Sequence, residues 1–360
     1  MSGDQSRRRS RAKRIDVFRE WQDGNLHEEG ASRERWTREG QTPRRKVHGD
    51  RPLVALEEMG EGIVAEKHRR TCAVYIPGTG KLVCRYSPNL DTREESGIAI
   101  GDWVIIAKEE ASGDIYVTEI LPRTSKLSRP GPPDREHREQ LLAANIDQLV
   151  VVSSATQPVF NPGFIDRYLV VAQYSNIPLV LVINKADLVD EMPPVVADFE
   201  KMLASVVIVS AHTQVGFAQL KEQLKGKISV LTGQSGVGKS SLVRACLPEL
   251  ENIDVGDVRE KDGKGRHTTI ASTLFKLPEE LEGGWLIDTP GIRGLGFWNM
   301  SQQELSQFFP PFGEIWKKCK FNNCRHLTEP QCAVRAAIEN ADIPKRFYRS
   351  YKRIMDSLPH

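Results

Sequence analysis

The chain has 360 residues, 39% of them hydrophobic and 27% charged, and its formal net charge is +2. This composition excludes a wholly disordered or collagen-like chain, and the length predicts more than one domain with a buried core. No apolar run approaches the roughly 18 residues that a membrane span requires, and the basic N-terminus lacks the apolar segment of a secretory signal. We therefore expect a cytoplasmic protein without a membrane partner.

Residues 1–48 are predicted to form a basic, disordered arm. Residues 1–46 contain 13 Lys/Arg and 8 Asp/Glu, a net charge of +5, and six of the basic residues lie within residues 7–14. The segment has too few apolar residues for their burial to offset the conformational entropy lost on folding. The arm is either a solvated tail or a segment that binds a polyanion such as nucleic acid.

Residues 49–122 are predicted to form a small β-barrel of the OB type, although an SH3-like barrel has a similar pattern. A tight turn at residues 77–80 predicts a hairpin between the second and third strands. Four aromatic residues either stack on bases or fill the core, namely Tyr75, Tyr86, Trp103 and Tyr116. The predicted strands are Glu61–Glu66, Thr71–Ile76, Lys81–Tyr86, Asp102–Ala107 and Ile115–Leu121.

A Pro-rich linker at residues 123–138 is predicted to precede an α/β domain at residues 139–297 and a small helical domain at residues 298–360. Near-continuous Val/Ile/Leu runs in the α/β domain are typical of a parallel sheet covered on both faces. The last domain has few aliphatic residues and therefore needs a stabilising crosslink in addition to its core. The predicted strands are Gln148–Ser153, Leu179–Ile183, Val206–Val209, Ile228–Leu231 and Gly284–Ile287.

A phosphate-binding motif of the form G-x-x-x-x-G-K-S follows the predicted strand at Ile228–Leu231. In such a loop the backbone N–H groups surround the phosphates, Lys239 reaches the β/γ oxygens and the Ser240 hydroxyl binds Mg²⁺. The strand–loop–helix context makes a chance match improbable. The nucleotide-binding residues predicted here are Gly233, Gln234, Ser235, Gly236, Val237, Gly238, Lys239, Ser240 and Ser241.

Three more motifs complete a guanine-nucleotide site. Residues 288–291 (DTPG) place Asp288 near Mg²⁺ and the Gly291 N–H near the γ-phosphate. Residues 184–187 (NKAD) supply a carboxylate at Asp187 that accepts from both guanine N1–H and N2–H, a donor pair that adenine lacks. The predicted base contacts are Asn184, Lys185, Ala186 and Asp187, with a backbone N–H of Ser210-Ala211 on guanine O6.

The order of these motifs is circularly permuted relative to Ras-like GTPases, because NKAD and SA precede the P-loop. The permuted order, GQSGVGKSS, GRHTT at residues 265–269, the barrel and the Cys/His cluster together resemble the RsgA (YjeQ-like) family of small-ribosomal-subunit biogenesis GTPases. The resemblance covers roughly residues 50–355. It implies a role in late maturation of the small ribosomal subunit, contact with its rRNA, and GTP hydrolysis that the subunit stimulates.

The segment 254–267 is predicted to be a switch loop that orders around the γ-phosphate. Either Thr268 or Thr269 then ligates Mg²⁺. Ile292 stands where Ras-like proteins carry the Gln that orients the attacking water, so intrinsic hydrolysis is expected to be slow. His267 is the nearest residue that could orient this water, and it matches the catalytic histidine proposed for the family.

A cluster of four soft or borderline ligands predicts one structural Zn²⁺ in a tetrahedral site that leaves no open position. The ligands are Cys319, Cys324, His326 and Cys332. The basic residues around and after them either contact RNA phosphate or cover a solvated face; they are Lys317, Lys318, Lys320, Arg325, Lys345, Arg346, Arg349, Lys352 and Arg353.

We therefore predict a multidomain, monomeric GTPase that uses Mg²⁺. Its barrel and its C-terminal domain, which flank the α/β domain, are predicted to bind small-subunit rRNA. Two alternatives remain. In the first, the protein is an RNA-binding module that GTP controls with little catalysis, which Ile292 permits. In the second, it is an ATP-dependent P-loop enzyme, which the Asp187 carboxylate disfavours.

Overall fold

The computed structural model describes residues 56–90, 97–130, 139–247, 273–281, 284–288 and 300–358. The predicted N-terminal arm lies outside these ranges, as do four predicted site residues, namely His267, Thr268, Thr269 and Gly291. No helix in the described ranges is both long and apolar enough to cross a membrane.

Five strands form a closed barrel in the order β1-β2-β3-β5-β4, as the sequence predicted. β3 pairs in parallel with β5 and the other neighbours are antiparallel, which is the arrangement of an OB barrel. Alternate side chains point inward and fill the core, among them Val64, Val74 and Val117. The strands are β1 (Leu56–Lys67), β2 (Thr71–Ile76), β3 (Gly80–Tyr86), β4 (Trp103–Glu109) and β5 (Ile115–Ile120).

Three of the four barrel aromatics pack against apolar cores, so the core-filling alternative describes them better than base stacking. Tyr86 packs against the barrel core, and its hydroxyl donates to two carbonyls of the β1–β2 region. Tyr75 and Trp103 pack against the core of the α/β domain. The Tyr75 ring lies 5.2 Å from the ring of Trp285. The barrel therefore packs directly against the α/β sheet.

The predicted linker contains a strand. β6 (Lys126–Pro130) pairs in antiparallel fashion with β7 (Glu139–Ala144), and the two form a separate two-stranded sheet. The Arg123 guanidinium, immediately before β6, binds the carboxylate of Asp102 with Nε–Oδ1 and Nη2–Oδ2 distances of 2.7 and 2.8 Å. The segment therefore joins the two domains through ordered contacts, whereas its Pro-rich sequence predicted only a connector.

The central domain contains a six-stranded sheet in the order β10-β9-β8-β11-β13-β12. The first five strands are parallel as predicted, but β12 pairs in antiparallel fashion with β13 and had not been predicted. The strands are β8 (Gln148–Ser154), β9 (Leu179–Asn184), β10 (Val206–Ile208), β11 (Ile228–Gly233), β12 (Thr273–Lys276) and β13 (Trp285–Asp288). The helices are α1 (Pro162–Ser175), α2 (Val196–Glu200), α3 (Phe217–Leu224) and α4 (Lys239–Cys246).

The C-terminal domain consists of short helical segments. Within the predicted helical domain, Leu305–Phe308 and Ile315–Lys318 form 3₁₀ turns, and regular helices follow at α5 (Ala333–Glu339) and α6 (Lys345–Asp356). The rings of Phe309, Phe312 and Tyr351 pack together in its centre. This cluster belongs to the same continuous core as α1 and the sheet, so the domain is not packed independently.

Candidate nucleotide site and metal centre

The phosphate-binding loop lies between β11 and α4. β11 ends at Gly233, and α4 begins at Lys239 after Gly238, whose φ is +94°. The Lys239 ammonium donates to the carbonyls of Gly233 and Gln234, each at 2.8 Å. The Lys239 side chain therefore spans the loop. A bound phosphate could replace the two carbonyls as its hydrogen-bond acceptor. Ser240 and Ser241 lie in the first turn of α4, where unpaired N–H groups favour anions.

Two glycines of the loop are required by close contacts. A Cβ on Gly238 would lie 2.3 Å from Asn184 Nδ2, and a Cβ on Gly233 would lie 2.3 Å from the carbonyl oxygen of Val152. Neither distance is compatible with a side chain. The loop therefore sits directly against the ends of β8 and β9, and the backbone can approach a ligand closely.

Asn184 joins three loops at this edge of the sheet. Its buried side-chain amide donates to the carbonyl of Val237 at 2.9 Å, and its Oδ1 accepts the Ala211 N–H at 3.1 Å. The first bond fixes the P-loop and the second fixes the loop after β10. The Ala211 N–H, predicted to face guanine O6, is therefore engaged with Asn184 in this structure, and a bound base would share or replace that bond.

The residues that follow Asn184 extend along the site. Lys185 has a left-handed backbone (φ +64°), and its ammonium donates to the carbonyl oxygen of Gln157 in the loop after β8. Ala186 and Asp187 begin a 3₁₀ turn, where the Asp187 carboxylate is exposed. The sequence did not predict the contact between Lys185 and Gln157, because the acceptor is a backbone carbonyl, which every residue type has.

The described part of the DTPG motif lies beside the P-loop strand. Asp288, the last residue of β13, is buried and is paired in register with Leu231 of β11. Since parallel strands end at one edge of a sheet, this carboxylate lies on the same edge as Asn184 and the P-loop.

The four predicted metal ligands meet at one point, where their ligand atoms all lie within 4.8 Å of one another. His326 Nδ1 lies 3.5 Å from Cys319 Sγ and 3.4 Å from Cys332 Sγ, and these two sulfurs are 3.9 Å apart. Tetrahedral zinc with usual bond lengths would place two sulfurs about 3.8 Å apart and a sulfur and a nitrogen about 3.5 Å apart. The geometry of Cys319, Cys324, His326 and Cys332 therefore fits zinc.

The surroundings of the ligands favour the neutral form of both the His326 imidazole and the Cys324 thiol. Burial lowers the pKa of His326 to about 4, so its ring is neutral at physiological pH. Burial raises the pKa of Cys324 to about 12, so a metal must displace its proton. The Tyr348 hydroxyl donates to the His326 carbonyl at 2.7 Å, and the rings of Phe312 and Tyr351 pack against the imidazole. These contacts hold His326 in its left-handed backbone conformation.

One predicted surface cation is turned inward instead. Arg346 binds Asp198 through Nε at 2.5 Å and reaches both oxygens of Asp166 through Nη1 at 3.3 and 3.4 Å. Ser350 donates to the same Asp166 carboxylate at 2.5 Å. Asp166 is completely buried in α1. The sequence analysis missed this ionic contact between α1 and α6, because 180 residues separate the partners.

Comparison with known proteins agrees with this architecture. The sequence model of the RsgA GTPase family matches residues 120–298. The small ribosomal subunit biogenesis GTPase RsgA of Chlorobaculum tepidum is 36% identical over 317 residues, which cover 84% of this chain and 99% of that protein. RsgA 1 of Vibrio vulnificus is 41% identical over 266 residues, which cover 72% of this chain and 73% of that protein.

Solved structures show the same resemblance in three dimensions. YjeQ from Thermotoga maritima superposes with a TM-score of 0.64 at 31% identity and covers 83% of this chain and 98% of its own. YloQ, described as a circularly permuted GTPase, gives a TM-score of 0.61 at 26% identity and covers 87% of this chain. The permuted motif order, the barrel and the Cys₃His centre thus occur together in one chain, which belongs to the RsgA family of GTP-hydrolysing enzymes.

Proposed function

We propose that this GTPase acts on the small ribosomal subunit, contacts its rRNA, assists its late maturation, and hydrolyses GTP faster when the subunit is bound. The proposed nucleotide binding rests on the contacts of Asn184. Its side chain hydrogen-bonds both the phosphate-binding loop and the loop that would contact guanine O6. The ribosomal part is supported by the names of the relatives, which are small ribosomal subunit biogenesis GTPases.

In the proposed reaction, the Lys239 ammonium and the N–H groups of the P-loop stabilise the charge that develops on the transferred phosphoryl group. Lys239 would exchange its carbonyl partners for phosphate oxygens. Mg²⁺ neutralises phosphate charge when bound. Ser240 and either Thr268 or Thr269 would hold it, with Asp288 acting through water, and His267 would orient the attacking water.

Guanine selection would come from the loop after β9. The Asp187 carboxylate is exposed and would accept from N1–H and N2–H of the base. The aliphatic part of Lys185, held at its ammonium end by Gln157, would lie along the ring. Because an adenine base would leave Asp187 unpaired, GTP is preferred to ATP.

The rRNA contact is proposed for the basic surface of the C-terminal domain. Four cations on α6 are exposed, namely Lys345, Arg349, Lys352 and Arg353, whereas Arg346 is committed to Asp166 and Asp198. Lysine and arginine on one surface gain affinity for RNA by releasing condensed counterions. Subunit binding should therefore weaken as the salt concentration rises.

The test is steady-state phosphate release from GTP and from ATP, with and without purified small ribosomal subunits, at two salt concentrations. We expect GTP-selective turnover that the subunit stimulates strongly at low salt and less at high salt. Slow GTP turnover that is indifferent to the subunit would remove the stimulation and favour a GTP-controlled binding module. Equal turnover of ATP and GTP would overturn the assignment of Asp187.

A further inference from the structure

A short loop between two metal ligands presents an aromatic ring to solvent. The loop comprises the four residues between Cys319 and Cys324, and all four are exposed. Phe321 is 40% exposed; within the described ranges, every other large hydrophobic residue with comparable exposure is aliphatic. Part of the burial free energy of this ring is not realised within the chain and is available to a contact with another molecule.

The backbone of this loop is held at both ends. The Cys324 N–H donates to the carbonyl of Phe321 at 3.2 Å, and the Lys320 N–H donates to the carbonyl of Gln331 at 3.4 Å. Zinc bound by Cys319 and Cys324 would close the loop across the metal. A ring on such a loop loses little conformational entropy on binding, which favours affinity.

The charges around the ring are mainly positive. The Lys320 ammonium lies 5.7 Å from the centre of the Phe321 ring, and Lys318 and Arg325 are exposed on the two sides of the loop. The acidic residues that flank the loop in sequence are occupied. Glu314 pairs with Lys317, and Glu329 accepts the N–H groups of Arg325, Leu327 and Thr328.

We propose that Phe321 stacks on an unpaired base of RNA while Lys318, Lys320 and Arg325 bind the adjoining phosphates. The inference rests on the proposed rRNA binding and adds to the cations of α6 a second contact with a defined mode. An aromatic face among cations suits a nucleotide better than a protein segment, because it satisfies a base and a phosphate together. The base must be unpaired, since the faces of duplex bases are covered by their neighbours and the grooves of an A-form helix display only base edges.

Three variants at one position test this stacking: Phe321→Leu, Phe321→Tyr and Phe321→Trp. The dissociation constant for the small subunit is measured with a GTP analogue that is not hydrolysed, and again for protein-free rRNA from that subunit. We expect Phe321→Leu to weaken both about tenfold, because leucine keeps the apolar contact but cannot stack. The Tyr and Trp variants should stay within about twofold of the original protein.

Two controls separate stacking from folding and from charge. Zinc content and GDP affinity should be equal in the original protein and all three variants. Lys320→Gln should reduce the dependence of binding on salt, whereas Phe321→Leu should leave that dependence unchanged.

Each outcome is decisive. Equal subunit binding by Phe321→Leu and the original protein would overturn the stacking and leave the proposed function standing. Weakened binding to the subunit but not to protein-free rRNA would instead assign the ring to a protein contact. If the original protein does not bind the subunit at all, the proposed function fails and this inference fails with it.

Discussion

The side-chain amide of Asn184 donates to the backbone carbonyl of Val237 over 2.9 Å, and 53 residues separate the two. Because Asn184 also accepts from Ala211, one buried side chain holds the P-loop and two base-side loops in register. The circular permutation changes the order of these loops along the chain but leaves them in contact. The nucleotide site therefore depends on the common edge of the sheet and not on the point at which the chain begins.

Asn184→Ala should lower the affinity for GDP by about tenfold or more. The change leaves the Val237 carbonyl and the Ala211 N–H without their partner, and each orphaned buried group costs about 1–3 kcal/mol. Titration with a fluorescent GDP analogue measures the effect. Gln148→Ala is the matched control, because Gln148 is a buried amide at the opposite end of the sheet that bonds Gln223 and Ser229. It should reduce stability without changing GDP affinity.

Asp187→Asn should transfer base preference from guanine to xanthine. An amide at this position presents a donor where guanine also presents donors, whereas the xanthine 2-oxo group can accept from it. We expect GDP affinity to fall by about two orders of magnitude and XDP to become the tighter ligand, as measured by competition. Unchanged GDP affinity would show that the base is read elsewhere.

Cys324→Ser should abolish the binding of one zinc per chain and make residues 300–358 more susceptible to proteolysis. Zinc is a crosslink for a domain of short helical segments, and serine is a poor substitute for thiolate. Metal analysis of the purified protein and limited proteolysis of residues 300–358 measure the two effects. Cys246→Ala changes a buried thiol in α4, away from this centre, and should retain zinc in full.

Arg123→Met should destabilise the barrel by about 3–5 kcal/mol, because it leaves the fully buried Asp102 carboxylate without its cation. Denaturant unfolding measures the free energy. Arg85→Met is the control in the same barrel, since the Arg85–Asp114 pair is exposed and should contribute less than about 1 kcal/mol. Equal losses in the two variants would contradict this assignment.

Asp166 should make stability depend on pH between about 4 and 6. Burial raises its pKa to about 6 from the usual 3.8, and this effect outweighs the opposing contributions of Ser350 and Arg346; Asp198 also faces the group and raises the pKa further. The folded state therefore binds the proton more tightly than the unfolded chain. The stabilisation is complete below the unfolded pKa and is lost as pH rises through the folded pKa.

Asp166→Asn removes this titration. The unfolding free energy of the original protein relative to the variant should fall by up to about 3 kcal/mol as pH rises from 4 to 7. Denaturant titrations of both proteins across this range provide the comparison. Parallel profiles would show that Asp166 is ionised throughout in the folded protein.

The nucleotide motifs and the metal ligands could be read from the sequence because their chemistry is local. The P-loop needs glycines at fixed spacing before Lys239, and the metal centre needs four ligands within fourteen residues, from Cys319 to Cys332. The buried strands could also be predicted from the sequence, since short, nearly continuous runs of Val, Ile and Leu such as Leu179–Ile183 are typical of strands covered on both faces. For these features the residue types and their spacing determine which group is present, although the roles of His267, Thr268 and Thr269 stay predictions.

The tertiary structure alone decided which distant residues meet. The pairing of β6 with β7, the antiparallel edge strand β12, the Arg346–Asp166 contact and the Lys185–Gln157 hydrogen bond leave no periodic pattern in the chain. The Arg346–Asp166 contact joins groups that are 180 residues apart, and the Lys185–Gln157 bond uses a backbone atom that every residue possesses. The two strand pairings join segments that are close in the chain but lack the continuous apolar pattern of the central strands. Such contacts become favourable only after the sheet and its packed helices have brought both partners out of water together.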